Sequence, residues 1–192
     1  MLVQMTHSRM LALPAPKNRL SGILRGVLIS LLFAGFTGLL SKARFYLPFT
    51  PVPVTGQVFA VLLAGILLGR LYGSLSQVFY VGLGLLGVPW FSIFPFIPTG
   101  GYLLGFIAAP YVVGCVFNRW ERISFSSAMV SLTIGIVLIY STGFLFFAAA
   151  TGAGLASSFR LAVLPFIPFD LLKAVFAALL VYSLRKSMNQ KS

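Results

Sequence analysis

From Leu71 to Asn118 the chain carries no charged residue at all. A soluble fold needs charged side chains on its surface, so a neutral stretch of this length belongs in a hydrocarbon layer. The remainder obeys the same rule: of 192 residues 59% are hydrophobic and only 8% charged, with a mean hydropathy of +1.01. This is the composition of an all-α integral membrane protein. The formal charge of +12 does not indicate nucleic acid, because the basic residues punctuate apolar runs instead of gathering on one solvated face.

Cutting the sequence at its charges predicts six transmembrane helices. Leu20 to Leu40 is long enough for the first, since a core of about 30 Å needs about 20 residues. Pro48, Pro51 and Pro53 in "FYLPFTPVPVTGQ" forbid a regular helix there, so a structured loop precedes a second helix starting near Gly56. The neutral stretch holds two more, over 71–87 and 102–118, joined by the proline- and glycine-rich "GVPWFSIFPFIPTGG". A fifth runs from Ile123 to near Ala150, a loop continues through Arg160, and a sixth spans about Pro168 to Leu184.

An even number of crossings puts both termini on one side. Arg9, Lys17, Arg19, Arg25, Arg70, Arg119, Arg122, Arg185, Lys186 and Lys191 fall on that side, against Lys42, Arg44 and Arg160 on the other. Both termini are therefore predicted to be cytoplasmic. The expected organisation is a cytoplasmic tail over 1–19, one membrane domain over 20–184 and a second tail over 185–192. No small-x-small cleavage site precedes "SKARF", which favours an uncleaved first helix. The single cysteine, Cys115, has no partner for an intrachain disulfide.

Several chemistries are excluded. The one histidine, His7, lies in the N-terminal tail, which removes Ser-His catalysis, a two-histidine metal site and a proton relay through histidine. No P-loop occurs. "GLGLLG" (82–87) spells a dinucleotide string without the preceding strand or the following acid, so small residues for close helix packing are the better reading. That reading extends to Ala34 with Gly38, Gly101 with Gly105, and Ala174 with Ala178. Neither a metal nor a cofactor is expected.

Asp170 and Lys173, in "PFIPFDLLKAVFAALL", are the polar residues least at home in lipid. Three apart on a helix, they share a face and reach one another. Ionisable groups inside a span are costly unless paired or solvated, and so mark a site or a structural ion pair. At about 24 Å the sixth helix is also expected to be short, which sets its start below the outer surface, with Asp170 in the first turn where the helix dipole favours a carboxylate. The outer loops "PFTPVPVTGQ" (48–57) and "FPFIPTGGY" (94–102) combine stiff prolines with hydroxyl and amide groups, as a covering over a small-molecule cavity does. Trp90, Phe91, Phe94, Phe96 and Tyr102 offer an apolar wall, although Phe94 and Phe96 equally suit an interfacial aromatic belt.

In order along the chain, "PFTPVPVTGQVFAVLLAGILLG", "YVGLGLLGVPWF", "PTGGYLLGF" and "FIPFDLLKAVFAALL" resemble four motifs of the BioY family, the biotin-specific S components of energy-coupling-factor (ECF) transporters, over about residues 45–184. The resemblance implies a six-helix S-component fold in the bacterial plasma membrane. It further implies biotin capture at the outer face for import, driven by a transmembrane T subunit and two ATPase subunits. Carried onto this chain, it makes Asp170 and Lys173 the contacts of the ureido ring. Thr50, Val52, Thr55, Gln57, Tyr80, Trp90, Thr99, Gly100, Gly101 and Tyr102 complete the candidate binding residues, and Ala34 and Gly38 become the T-subunit face. The ureido group offers two N–H donors and one carbonyl acceptor, so a carboxylate beside an ammonium complements it. The family usually has Gly where this chain has Ile97 and Leu where it has Gly56. The holder of the biotin carboxylate stays open among Thr99, Tyr102, backbone N–H groups and water. Rival readings are a different vitamin on the same scaffold, a stand-alone biotin carrier, a retinal-type pigment using Lys173, and, least favoured, an intramembrane enzyme.

Overall fold

The computed structural model describes residues 18–90, 99–120 and 124–189. His7, Phe91, Phe94, Phe96 and Ile97 lie outside the described residues, as do the rest of 1–17 and residues 190–192. Seven α-helices build the described part: α1 (Arg19–Lys42), α2 (Gln57–Leu67), α3 (Gly69–Leu85), α4 (Gly100–Phe117), α5 (Phe125–Thr151), α6 (Leu155–Ala162) and α7 (Ile167–Asn189). Two-residue strands β1 (Arg44–Phe45) and β2 (Val54–Thr55) pair antiparallel between α1 and α2, with Arg44 opposite Thr55.

Six of these helices are the six expected from the sequence, and the fold is that of a multi-pass helical membrane protein. α1, α4, α5 and the segment Leu155–Ser187 are each long and apolar enough to cross a membrane. Their directions alternate, as contacts at the two ends demonstrate. The start of α3 meets the end of α4, where Gly114 lies on Arg70. The start of α4 meets the end of α5, where Gly101 lies on Phe146. The outer surface is rich in leucine, with Leu32, Leu39, Leu104 and Leu145 each at least 60% exposed. Buried polar side chains bind helices together from inside. Ser30 of α1 donates to the Tyr72 carbonyl of α3 at 2.9 Å, and the Gln77 amide donates to Thr37 at 3.2 Å, as expected where no water competes.

α2 shapes the rest. Its sequence QVFAVLLAGIL is apolar on every side, and nine of its eleven residues are buried. Eleven residues rise only about 16 Å, half of a bilayer core. The turn into α3 follows at once, with Leu68 capping α2 and Gly69 taking a φ of 76° that a residue with a Cβ rarely adopts. The other half of this crossing is therefore made of the proline-rich 43–56 segment, whose strands satisfy part of its backbone.

Three expectations are corrected. α7 extends to Asn189 and so rises about 34 Å, because a helix stabilised by its own hydrogen bonds need not stop where the lipid does. The site's depth thus owes nothing to a short last helix. The loop expected through Arg160 instead contains α6 (Leu155–Ala162), an amphipathic helix of just over two turns, too short to leave a membrane-length signal. Within "GLGLLG", a Cβ placed on Gly82 or Gly87 would meet nothing within 4 Å, so these two glycines do not serve close packing; Gly87 instead adopts a φ of 99° at the end of α3.

Close packing does occur between α4 and α5. A Cβ on Gly105 would sit 2.4 Å from Thr142 Oγ1 and 2.8 Å from Ile139 Cα. Replacing Gly105 with Val must push these helices apart, at a cost of about 1–3 kcal/mol. The detergent-solubilised variant is expected to melt several degrees lower, whereas Gly82→Ala melts with the parent; equal melting of all three would refute the packing role.

Candidate functional site

A cavity of about 240 Å³ opens between the 43–56 segment, α3, α4, α5 and α7. Its existence follows from the shortness of α2: half of a helix is missing from the bundle, and a stiff loop skirts the gap without filling it. Prolines 51 and 53 line one wall.

At the closed end lies Asp170, in the first turn of α7 and 4% exposed. Lys173 Nζ donates to its Oδ1 at 2.6 Å, and the Tyr140 hydroxyl of α5 donates to its Oδ2 at 2.8 Å. Both carboxylate oxygens are thus held, and the rotation of the group is fixed from two helices. A carboxylate buried this deeply needs such partners, since an isolated charge would cost several kcal/mol. Lone pairs remain on both oxygens, and Lys173, with 19% of its side chain exposed, keeps further N–H donors for a ligand.

On the opposite side Gln57, the first residue of α2, donates its amide to the Tyr80 hydroxyl at 2.5 Å. Trp90 stacks on Tyr80 with ring centroids 5.4 Å apart and donates its indole N–H to the Tyr80 carbonyl at 3.1 Å. Ser41 of α1 ties down the Trp90 carbonyl at 2.7 Å. These contacts fix a flat aromatic wall across from the ion pair. Phe106, Ile139 and Phe166 supply the apolar floor between the two poles.

Of the sequence-derived candidates, Asp170, Lys173, Val52, Thr55, Gln57, Tyr80, Trp90, Thr99 and Tyr102 line the cavity. Thr50, Gly100 and Gly101 do not. The Thr50 hydroxyl donates to the Leu161 carbonyl at 2.7 Å and so staples the loop to α6, while Tyr102 donates to the neighbouring Ala162 carbonyl. Gly100 and Gly101 back onto Phe146, where their lack of a side chain lets α4 meet α5. Ala34 and Gly38 face inward: Ala34 is wholly buried, and a Cβ on Gly38 would stand 2.2 Å from the Trp90 ring. Their small size serves the aromatic wall, which corrects the expectation that they offer a surface to a T subunit.

Sequence reasoning missed Tyr140, Ser41 and Arg44. Tyr140 carried a usable signal, since a tyrosine in the middle of a span lies far from the interface where its hydroxyl finds water. Arg44 was read only as a charge that sets topology. Among the described residues, no group of three or more histidine, cysteine or acidic side chains is placed to hold a metal.

Residues 9–190 match the model of the BioY family. The chain is 38% identical over 146 residues to the biotin transporter BioY of Thermotoga maritima, spanning 73% of this chain and 85% of that one. It is 34% identical over 176 residues to the biotin transporter BioY of Rhizobium etli, spanning 81% and 90%. The crystal structure of an S-component for biotin from an ECF-type ABC transporter superposes with a TM-score of 0.75 at 25% identity, covering 86% of this chain and 93% of that one. Motifs, fold and sequence agree across nearly the whole length, and the chain belongs to the BioY family.

Proposed function

We propose that this protein is the biotin-binding S component of a vitamin uptake transporter, and that its cavity holds biotin with the ureido ring against Asp170 and Lys173. The observation that carries the reading is the ion pair itself, set 2.6 Å apart at the closed end of the cavity. An N–H and the adjacent carbonyl of a cyclic urea form a donor–acceptor edge, and the carboxylate and ammonium form the complementary acceptor–donor edge. Charge-assisted bonds of this kind contribute about 1.5–3 kcal/mol each. The apolar floor of Phe106, Ile139 and Phe166 suits the sulfur-containing ring. Biotin transporters among its relatives support the same ligand.

Membership of a transporter family makes the chain a carrier and not an enzyme. The energy for import is assigned to a T subunit and two ATPase subunits, in keeping with the ECF-type assembly to which the structural neighbour belongs. The basic residues at the ends of α1, α4 and α7 away from the cavity favour cytoplasmic termini in a bacterial plasma membrane, with the cavity on the outer side.

Asp170→Asn keeps the shape of the side chain and removes its charge. It is expected to weaken biotin binding by at least about 2 kcal/mol, roughly thirtyfold in Kd, while membrane insertion is unchanged. Binding of radiolabelled biotin to the purified chain measures this, and equal affinity would remove Asp170 from the site. Tyr140→Phe keeps the ring and drops only the bond to Oδ2, so a smaller loss of about 1–2 kcal/mol is expected. Calorimetric titration of the two variants side by side should rank them in that order.

A further inference from the structure

We propose that Arg44 is the anchor for the ligand's carboxylate, and that it makes the cavity selective for a monoanion over a neutral analogue of the same shape. The inference rests on the biotin reading above and extends it to the end of the ligand that the ion pair does not touch.

Charge balance points to it first. Asp170 and Lys173 together are neutral, wherever the proton between them resides, and Arg44 adds one positive charge to the cavity lining. The whole chain has only two acidic residues. Asp170 has both oxygens engaged by Lys173 and Tyr140. Among the described residues the cavity lining holds one carboxylate, that of Asp170, and it is already engaged. A cavity with apolar walls and one excess cation favours an anionic guest.

Position points the same way. Burial falls along the cavity from Asp170 and Tyr140, both buried, to Arg44, half-buried, and Tyr46, exposed. Arg44 is therefore less enclosed than the ion pair and more enclosed than Tyr46, and the tail of a ligand seated ring-first would lie toward this less enclosed part of the lining. Pairing of Arg44 with Thr55 across the two short strands fixes its backbone. Of the three basic residues assigned to the outer side, Arg44 alone lines the cavity; Lys42 is exposed and donates to the Pro89 carbonyl, and Arg160 is exposed on α6. The guanidinium carries five N–H donors in a planar fork, so a carboxylate can be bound even where another group already engages part of it. Tyr102, a hydroxyl considered for this task from the sequence, has its proton committed to the Ala162 carbonyl.

The test compares biotin with its primary amide, which has the same rings and tail without the charge. The parent protein is expected to bind biotin at least about tenfold more tightly than the amide, and Arg44→Gln to lose about that factor for biotin alone. Biotin and amide then bind the variant equally. Arg44→Lys keeps the charge without the fork, so its preference for the acid should narrow without vanishing, and this variant decides the matter if Arg44→Gln does not survive solubilisation. Equal binding of acid and amide by the parent overturns the proposal, as does a preference that persists in Arg44→Gln. Failure of the parent to bind either compound would instead sink the biotin reading, and this inference with it.

Discussion

In a bilayer, backbone that leaves the helix must be covered by protein, because lipid offers no hydrogen bonds. The rest of this structure is a response to that constraint at one place, the eleven-residue α2. It is too short to cross, so the other half of its path is taken by a proline-stiffened loop with a sheet of two two-residue strands. The surrounding helices and α6 enclose that loop, through Thr50 on the Leu161 carbonyl and Tyr102 on the Ala162 carbonyl. What a full helix would have filled becomes a cavity.

The cavity in turn makes an intramembrane ion pair tolerable. Facing lipid, Asp170 and Lys173 would cost several kcal/mol; facing a polar recess, each has a partner and spare bonding capacity. The arrangement stays expensive until a ligand completes it. On the proposed placement of the ureido ring, an analogue lacking the matching N–H would leave a buried acceptor unpaired, a larger penalty than the gain of a well-made bond, so such a site would discriminate mainly by what it rejects. Rigidity serves this purpose: Tyr140 fixes the carboxylate from α5, and Ser41 and Gln57 fix the aromatic wall from α1 and α2.

Much of the fold was legible in the sequence because a charge in hydrocarbon is so costly that its absence outlines each span. The uncharged run 71–118 and the prolines at 48, 51 and 53 located three helices and the loop. α6 escaped because eight amphipathic residues with one arginine look like any polar connection. The last turns of α7 escaped because the sequence turns basic at Arg185, whereas the helix continues into water. The site was legible where a residue was chemically out of place, as with Asp170 and Lys173. It was illegible where a residue was ordinary for its surroundings: an arginine in an outer loop, or glycines whose neighbours cannot be named before the helices are packed.

By itself, then, the sequence determined the solvent, the six helices and the presence of a paired charge within the last of them. Each of these depends on local transfer free energy, which is a property of a segment alone. The tertiary structure decided which way each small or polar residue faces. Gly38 meets Trp90, Gly101 meets Phe146, Tyr140 reaches Asp170, and Arg44 turns toward the cavity. Such facings depend on how helices rotate against one another, and that rotation is set by packing among segments far apart in the chain, which no single segment encodes.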